Sequence, residues 1–521
     1  MDKDSPLPSG GIDAIGRVET RGVDYIPEAE RHSRPRELTT VFFGTQLCFG
    51  IIVLGFLPVS FGLGWWGSVT STLVGLAVGS SMFAPLALLS TRTGTNSAVS
   101  SGAHFGVVGR IVGSLVGVFT AVGFYALTVW TGGTALVAGL NKLVGMPAGR
   151  TELAIAYALI AVTTLVVAIY GHANVVLANR ILVPTMGLLL LIGVIVLLPK
   201  FSAQPPVAEG LLLGSYPATW LLSATTAASL PISYSPYVGD YTRYISAKRW
   251  SARKVVTATA VGMFAGTAVA LCFAIYVAMT FPVGATDWVV GFVDVSPTAY
   301  AVAIVLIALV GSCAQGALCV YGTGLDTSSI IPSLKRVPAT LLIGALGTIL
   351  VYVGAFLYDL VAAASAFLII LLVVTAPWLV INLIGYRLTR GRYYSQDLQV
   401  FNMQPRVAGG AYWFAHGWNV AAMLAWIPAT VIGMMFVNTT LYVGPWANAL
   451  GGVDLSFVSS AVIGGLLYAV LVKLIPGSVV VPTAVSEQDD AQRLARLLQS
   501  ARSTSHPATQ VAGAMPVADL T

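Results

Sequence analysis

One apolar stretch concentrates the candidate chemistry of this sequence. Ser229-Leu230-Pro231-Ile232-Ser233-Tyr234-Ser235-Pro236-Tyr237 holds two prolines, three serines and two tyrosines. Each proline removes a backbone donor and clashes with the carbonyl four residues back, so a helix here must break. A second break is predicted in Gly44-Thr45-Gln46-Leu47-Cys48-Phe49-Gly50, followed by Gly55 and Pro58. Inside lipid, freed backbone groups must be satisfied by protein, water or ligand, so paired breaks are places to hold a polar solute or a cation. Two further features fit such a site. Gly123-Phe124-Tyr125 puts aromatic rings at mid-helix, with Phe124 too deep for an interfacial belt. Gln315, in Gly311-Ser312-Cys313-Ala314-Gln315-Gly316, brings both a donor and an acceptor.

These residues need a membrane around them. Apolar residues make up 56% of the 521 and charged residues 9%, against about 25% charged in a soluble domain. No water-facing surface could be covered with so few charges. The apolar runs predict an all-α polytopic protein with about twelve spans, each long enough to cross a core of about 30 Å. They fall at 39–60, 66–90, 107–134, 153–171, 181–199, 217–238, 255–282, 297–324, 338–357, 360–386, 417–441 and 453–474, numbered here as spans 1 to 12. Spans 1 and 6, the broken ones, open two successive five-helix sets, about 39–199 and 217–386, with two extra helices at about 417–474.

Orientation follows from the basic residues. With both ends inside, all of the 27 Lys and Arg fall on the inner side except Lys142, Arg150 and Lys200. That bias predicts cytoplasmic termini in a cell (inner) membrane. Residues 1–38 read as a polar cytoplasmic tail with no apolar core of a cleavable leader, and 476–521 as a second tail whose Ser486–Ser500 stretch has helical leucine spacing. The basic pI is therefore a matter of topology, and no nucleic-acid partner is expected.

The pattern argues against an enzyme. There is no Walker loop, HExxH or CxxC, and Cys48, Cys272, Cys313 and Cys319 sit in apolar runs as packing residues. No metal site or cofactor is expected. The five histidines all read as solvated loop or tail residues. Within the spans, acids and bases occur only near the ends, which favours an uncharged substrate held by stacking and neutral hydrogen bonds. The coupling ion is H+ or Na+. Backbone oxygens at the break of span 1, around Gln46 and Cys48, suit sodium, and Asp240, Asp326 and Asp359 at helix ends suit a proton. Because span 8 offers Ser312 as its one hydroxyl between Val310 and Val320, hard-cation ligands are scarce there, and the reading leans to the proton.

The run Val23-Asp24-Tyr25-Ile26-Pro27-Glu28-Ala29-Glu30-Arg31, the Arg92-Thr93-Gly94 step, Gly123-Phe124-Tyr125, and Ser233-Tyr234-Ser235 through Asp240-Tyr241 together resemble the purine–cytosine permeases of the nucleobase–cation symporter family. The resemblance covers roughly residues 23–475. It implies a five-plus-five inverted-repeat fold with the last two helices outside it, and a flat base sandwiched between rings of helices 1 and 3. It further implies Phe49 and Phe124, beside Tyr125, as stacking residues, Ser233 as an edge contact and Gln315 as the reader from helix 8. Where some relatives carry an acid at the end of helix 10, this chain has Gly385. The reading is a secondary transporter importing a nucleobase or similar neutral planar heterocycle by cation symport. The rivals are an amino-acid or hydantoin/allantoin carrier on the same fold, and a channel or membrane enzyme.

Overall fold

The computed structural model describes residues 23–505, apart from 171, 207–209, 285–286, 332, 358–359, 404–406, 440–441, 451 and 484–485. Helices dominate, as lipid requires, because a helix satisfies its own backbone groups. Among the described residues nine helices are long and apolar enough to cross a membrane, and a tenth span is the bent pair Pro35–Gly44 and Phe49–Ser60. Two more helices complete the predicted twelve. Val420–Met435 is shorter than the others. Tyr216–Ser233, the first part of span 6, is more polar, because Thr219, Ser223, Thr226, Ser229 and Ser233 are all buried within the protein.

Both breaks form where the sequence places them. Span 1 bends by 72° between its halves, with Cys48 in an extended conformation (φ −133°, ψ 158°). Span 6 stops at Ser233, passes through a 3-10 turn at Ser235–Tyr237 and resumes as Val238–Thr242. Pro236 has no N–H for the Ile232 carbonyl, and the Ser235 hydroxyl donates to it instead at 2.6 Å. Ser229 and Ser233 also donate to backbone, to the carbonyls of Thr226 and Leu230 at 2.6 and 2.8 Å. All three serine hydroxyls of the motif are therefore spent on backbone carbonyls.

Small residues bring the helices together. In span 2 (Trp65–Thr93), Gly75 and Gly79 lie against the backbone of Ala224 and Ala228 of span 6. In span 7 (Ala252–Ala278), Gly262 and Gly266 lie against Thr39 and Phe43 of span 1. The same small-x-x-x-small contact is made twice, with the roles of the two five-helix sets exchanged. Span 3 (Ile111–Val144) meets span 8 (Thr298–Ile330) through Gly117, Gly132 and Gly139, which face Asp326, Ser312 and Val305.

The sequence reading missed several pieces. Span 3 runs ten residues beyond its predicted end at 134. Two short helices link spans, Ser97–Phe105 between spans 2 and 3, and Trp288–Val295 between spans 7 and 8. The helix expected in the second tail spans Glu487–Ser505 and is docked. Its Arg493 bonds Asp397 at 2.9 Å and lies 4.4 Å over the Tyr394 ring. Its Glu487 accepts from the Tyr25 hydroxyl at 2.9 Å.

Candidate functional site

The two breaks face each other across spans 3 and 8, and everything between them is buried. Phe124 of span 3 and Tyr234 of span 6 form a ring pair, centroids 5.3 Å apart at 43°. Phe367 of span 10 meets Phe124 edge-on at 6.1 Å. Gln315 donates through Nε2 to the Tyr234 hydroxyl and lies 3.5 Å from Cys319 Sγ. Gln46 sits close to the same hydroxyl, with its Nε2 on Thr45 Oγ1 at 3.2 Å. Cys48 stands beside Thr128, one turn along from Phe124. Gly311 abuts the Leu47 carbonyl and Cys48: a Cβ there would come within 2.8 Å of the former and 3.0 Å of the latter.

This junction is under-satisfied. Gln46 Oε1, Thr128 Oγ1, Ser312 Oγ and Gln315 Oε1 are buried with no hydrogen-bond partner among the described residues. An unmet buried polar group costs about 1–3 kcal/mol. Gln315 and Gln46 reach the Tyr234 hydroxyl, while Thr128 stands against Gly50 and Ser312 against Gly132, so the junction offers polar sockets that a ligand edge could fill. Among the described residues no formal charge borders the ring pair. The arrangement suits a flat, uncharged solute with several hydrogen-bonding groups.

The predicted residues separate into groups. Phe124, Ser233, Gln315, Gln46 and Cys48 converge on the junction. Phe49 does not pair with Phe124; its ring packs on Trp288 at 6.0 Å and Phe292 at 6.2 Å, beneath the short helix Trp288–Val295. Tyr125 points to span 9, its hydroxyl 3.1 Å from Thr348 Oγ1. Ser233 spends its proton on the Leu230 carbonyl, which leaves it an acceptor only. Sequence reasoning missed Tyr234, although it sits between the two serines already singled out. Thr128 and Ser312 carried no signal beyond their position one helical turn from Phe124 and Gln315.

Two closures bound the junction. On the side of Trp288–Val295, Trp288 donates to the Ala274 carbonyl at 3.0 Å, and two lysines cap the helix's last carbonyls. Lys142 Nζ reaches Val293, Asp294 and Ser296 at 2.6, 3.1 and 2.5 Å; Lys200 Nζ reaches Val295 at 2.6 Å. Two of the three basic residues assigned to the outside thus hold a lid. On the opposite side lie Asp240 and Asp326, both buried and near enough to interact. Neither carboxyl oxygen of Asp326 has a hydrogen-bond partner among the described residues, and Gly117 leaves the space it occupies. Tyr237 donates to the Gly117 carbonyl. Arg243 reaches the Tyr321 hydroxyl at 3.2 Å, and Arg110 the Ser329 carbonyl at 3.2 Å. Asp359 lies outside the described residues.

His104 corrects the expectation of solvated histidines. It is 2% exposed, in the short helix Ser97–Phe105, and Tyr393 Oη is 3.3 Å from Nε2. Burial pushes its imidazole down to about 3, so it is neutral at physiological pH. Its ring fills the space a side chain at Gly385 would need, so an acid could stand there only if His104 moved.

Comparison with known proteins agrees with this geometry. A family described as permeases for cytosine/purines, uracil, thiamine and allantoin matches residues 25–459. A provisionally named purine-cytosine permease, YxlA, of Bacillus subtilis (strain 168) is 26% identical over 476 residues, covering 88% of this chain and 96% of its own. Mhp1, a nucleobase-cation-symport-1 family transporter, solved in a closed conformation with bromovinylhydantoin bound, superposes with a TM-score of 0.68 at 18% identity, over 90% of this chain and 98% of that one. The inward-facing conformation of Mhp1 gives 0.65 at 16%, over 91% and 98%. The fold is therefore that of a multi-pass inverted-repeat transporter with broken first and sixth helices.

Proposed function

The chain belongs to the permease family for cytosine/purines, uracil, thiamine and allantoin, and from that premise we propose that it is a secondary transporter for an uncharged nucleobase or a related planar heterocycle. One observation carries the reading: the Phe124–Tyr234 ring pair, with Gln315 and Gln46 at the Tyr234 hydroxyl and the amide oxygens of both buried without a hydrogen-bond partner among the described residues. A flat substrate would enter between these rings, which touch at present and so must part to admit it. Its edges would take up Gln315 and Gln46, with Ser312 and Thr128 as hydroxyl partners. The stacking pair is thus Phe124 with Tyr234, in place of Phe124 with Phe49. Hydantoin-like rings satisfy the same stacking and edge geometry and are the second reading. A free amino acid without an aromatic side chain gains little from a ring pair.

The protein would lie in the cell membrane with both termini cytoplasmic and import its substrate by alternating access. Proton coupling is favoured by Asp326, an acid that can be carried in a dry interior only with a proton or cation beside it, and by Asp240 next to it. The test is a thermal-shift screen of purified protein against bases, nucleosides, hydantoins and amino acids, with counterflow in vesicles for any hit. Stabilisation by a base or hydantoin, with exchange of labelled for unlabelled compound, is the expected result. Stabilisation by amino acids alone would reject the reading.

A further inference from the structure

Where span 1 and span 7 begin, the protein holds a crevice of about 1230 Å³, part of it open to the surroundings. Its walls are the starts of Pro35–Gly44 and Ala252–Ala278. Arg34, Arg36, Arg253 and Lys254 line it, and no acid does. None of the four forms an ion pair with a described residue. Glu37, the acid of that first turn, accepts the backbone N–H of Arg34 at 3.1 Å.

Charge is only half of the feature. Trp250 flanks the opening, with Lys254 Nζ 5.7 Å from its ring centroid, and Val261, 50% exposed, continues the wall toward the lipid-facing surface. Cations at the mouth, an indole at the boundary and an apolar floor follow the cross-section of a phospholipid. Topology alone scatters Lys and Arg over this face; it does not gather four around one crevice with an apolar wall.

We propose that this crevice binds an anionic phospholipid, its phosphate between the four cations and an acyl chain along Val261. The lipid would bridge two moving parts. Pro35–Gly44 is the half of span 1 before the 72° bend, and it already rests on span 7. A Cβ on Gly262 would meet Thr39 Cα at 2.8 Å, and one on Gly266 would meet the Phe43 carbonyl at 2.5 Å. A headgroup held by Arg34 and Arg36 on one side and Arg253 and Lys254 on the other clamps that contact. The proposal does not depend on what the transporter carries.

The test uses the full chain in nanodiscs of phosphatidylcholine, with or without phosphatidylglycerol. Thermal unfolding and native mass spectrometry of retained lipid are the readouts. Phosphatidylglycerol should raise the midpoint and remain bound. In Arg36→Gln/Arg253→Gln/Lys254→Gln its apparent affinity should fall roughly tenfold or more, while the midpoint in pure phosphatidylcholine stays at the wild-type value. Arg253→Gln alone should fall between. Lys335→Gln/Lys473→Gln, exposed cations at other helix ends of the same face, should behave as wild type. Equal losses in both multiple variants would overturn the site in favour of general surface charge. Equal stabilisation by glycerol 3-phosphate or inorganic phosphate would overturn the lipid in favour of a soluble phosphate. An unchanged midpoint with phosphatidylglycerol would overturn both.

Discussion

The two closures that bound the junction are built from opposite chemistry. The lid is aromatic packing, Trp288 and Phe292 on Phe49, pinned by lysines on backbone carbonyls. The opposite closure is a buried polar set around Asp240, Asp326, Arg110 and Arg243, braced by the docked helix Glu487–Ser505. Apolar rings can part and close without regard to ion gradients. Buried acids cannot be exposed or covered without a change of partner or proton. From that difference we propose that ion coupling resides at the Asp240–Asp326 closure and that the Trp288–Val295 lid is a plain seal.

The largest expected effect tests that division. Asp326→Asn should cut accumulation driven by an inward proton gradient at least tenfold, about 1.4 kcal/mol, while counterflow persists. Accumulation that survives intact, or that follows sodium in the presence of an uncoupler, would place coupling elsewhere. Next comes the junction between the closures. Phe124→Ala or Tyr234→Ala should weaken base binding by about 1–3 kcal/mol, the size of a base–aromatic stack. Phe49→Leu should leave equilibrium affinity nearly unchanged by calorimetry, because Phe49 belongs to the lid. A loss at Phe49 equal to that at Phe124 would break the distinction between site and lid.

The lysine latch on the lid should give a smaller response. Lys142→Met should loosen Trp288–Val295 by about 1 kcal/mol, raising its amide exchange roughly fivefold, with no change in which cation drives uptake. The brace at the opposite closure should give the smallest. Asp397→Asn removes the Arg493 contact, which is partly exposed and worth about 0.2–1 kcal/mol. A pH effect accompanies it. Burial pushes the Asp490 carboxyl from its ordinary 3.8 up to about 6, with Asp397 raising it further and the Gln396 N–H and Arg493 opposing. Because the docked value is the higher, docking takes up a proton. That contribution is full below about 3.8 and is lost as pH rises through about 6. Exchange in Glu487–Ser505 should quicken over that window, and Asp490→Asn should flatten the response.

The sequence by itself determined the spans, the two breaks and the residue types at the junction. Span length follows from the thickness of lipid, and the break in span 6 follows from the donor that Pro236 lacks, the helix running on through Pro231 to Ser233; both are local rules written in consecutive residues. It also marked Phe124 and Gln315, whose types are unusual deep in a membrane helix. Only the tertiary structure decided which rings meet. A helix that restarts after a break can take any rotation, and the bend at Cys48 turns Phe49 to the lid while Tyr234 faces Phe124. The same holds for His104, whose burial depends on the empty space at Gly385, and for Lys142 and Lys200, which a topology rule could count but not seat. Arg34 and Arg253 lie over two hundred residues apart in the chain. They share a crevice only because Gly262 and Gly266 let spans 1 and 7 touch, and such contacts between distant helices are settled by packing, not by spacing.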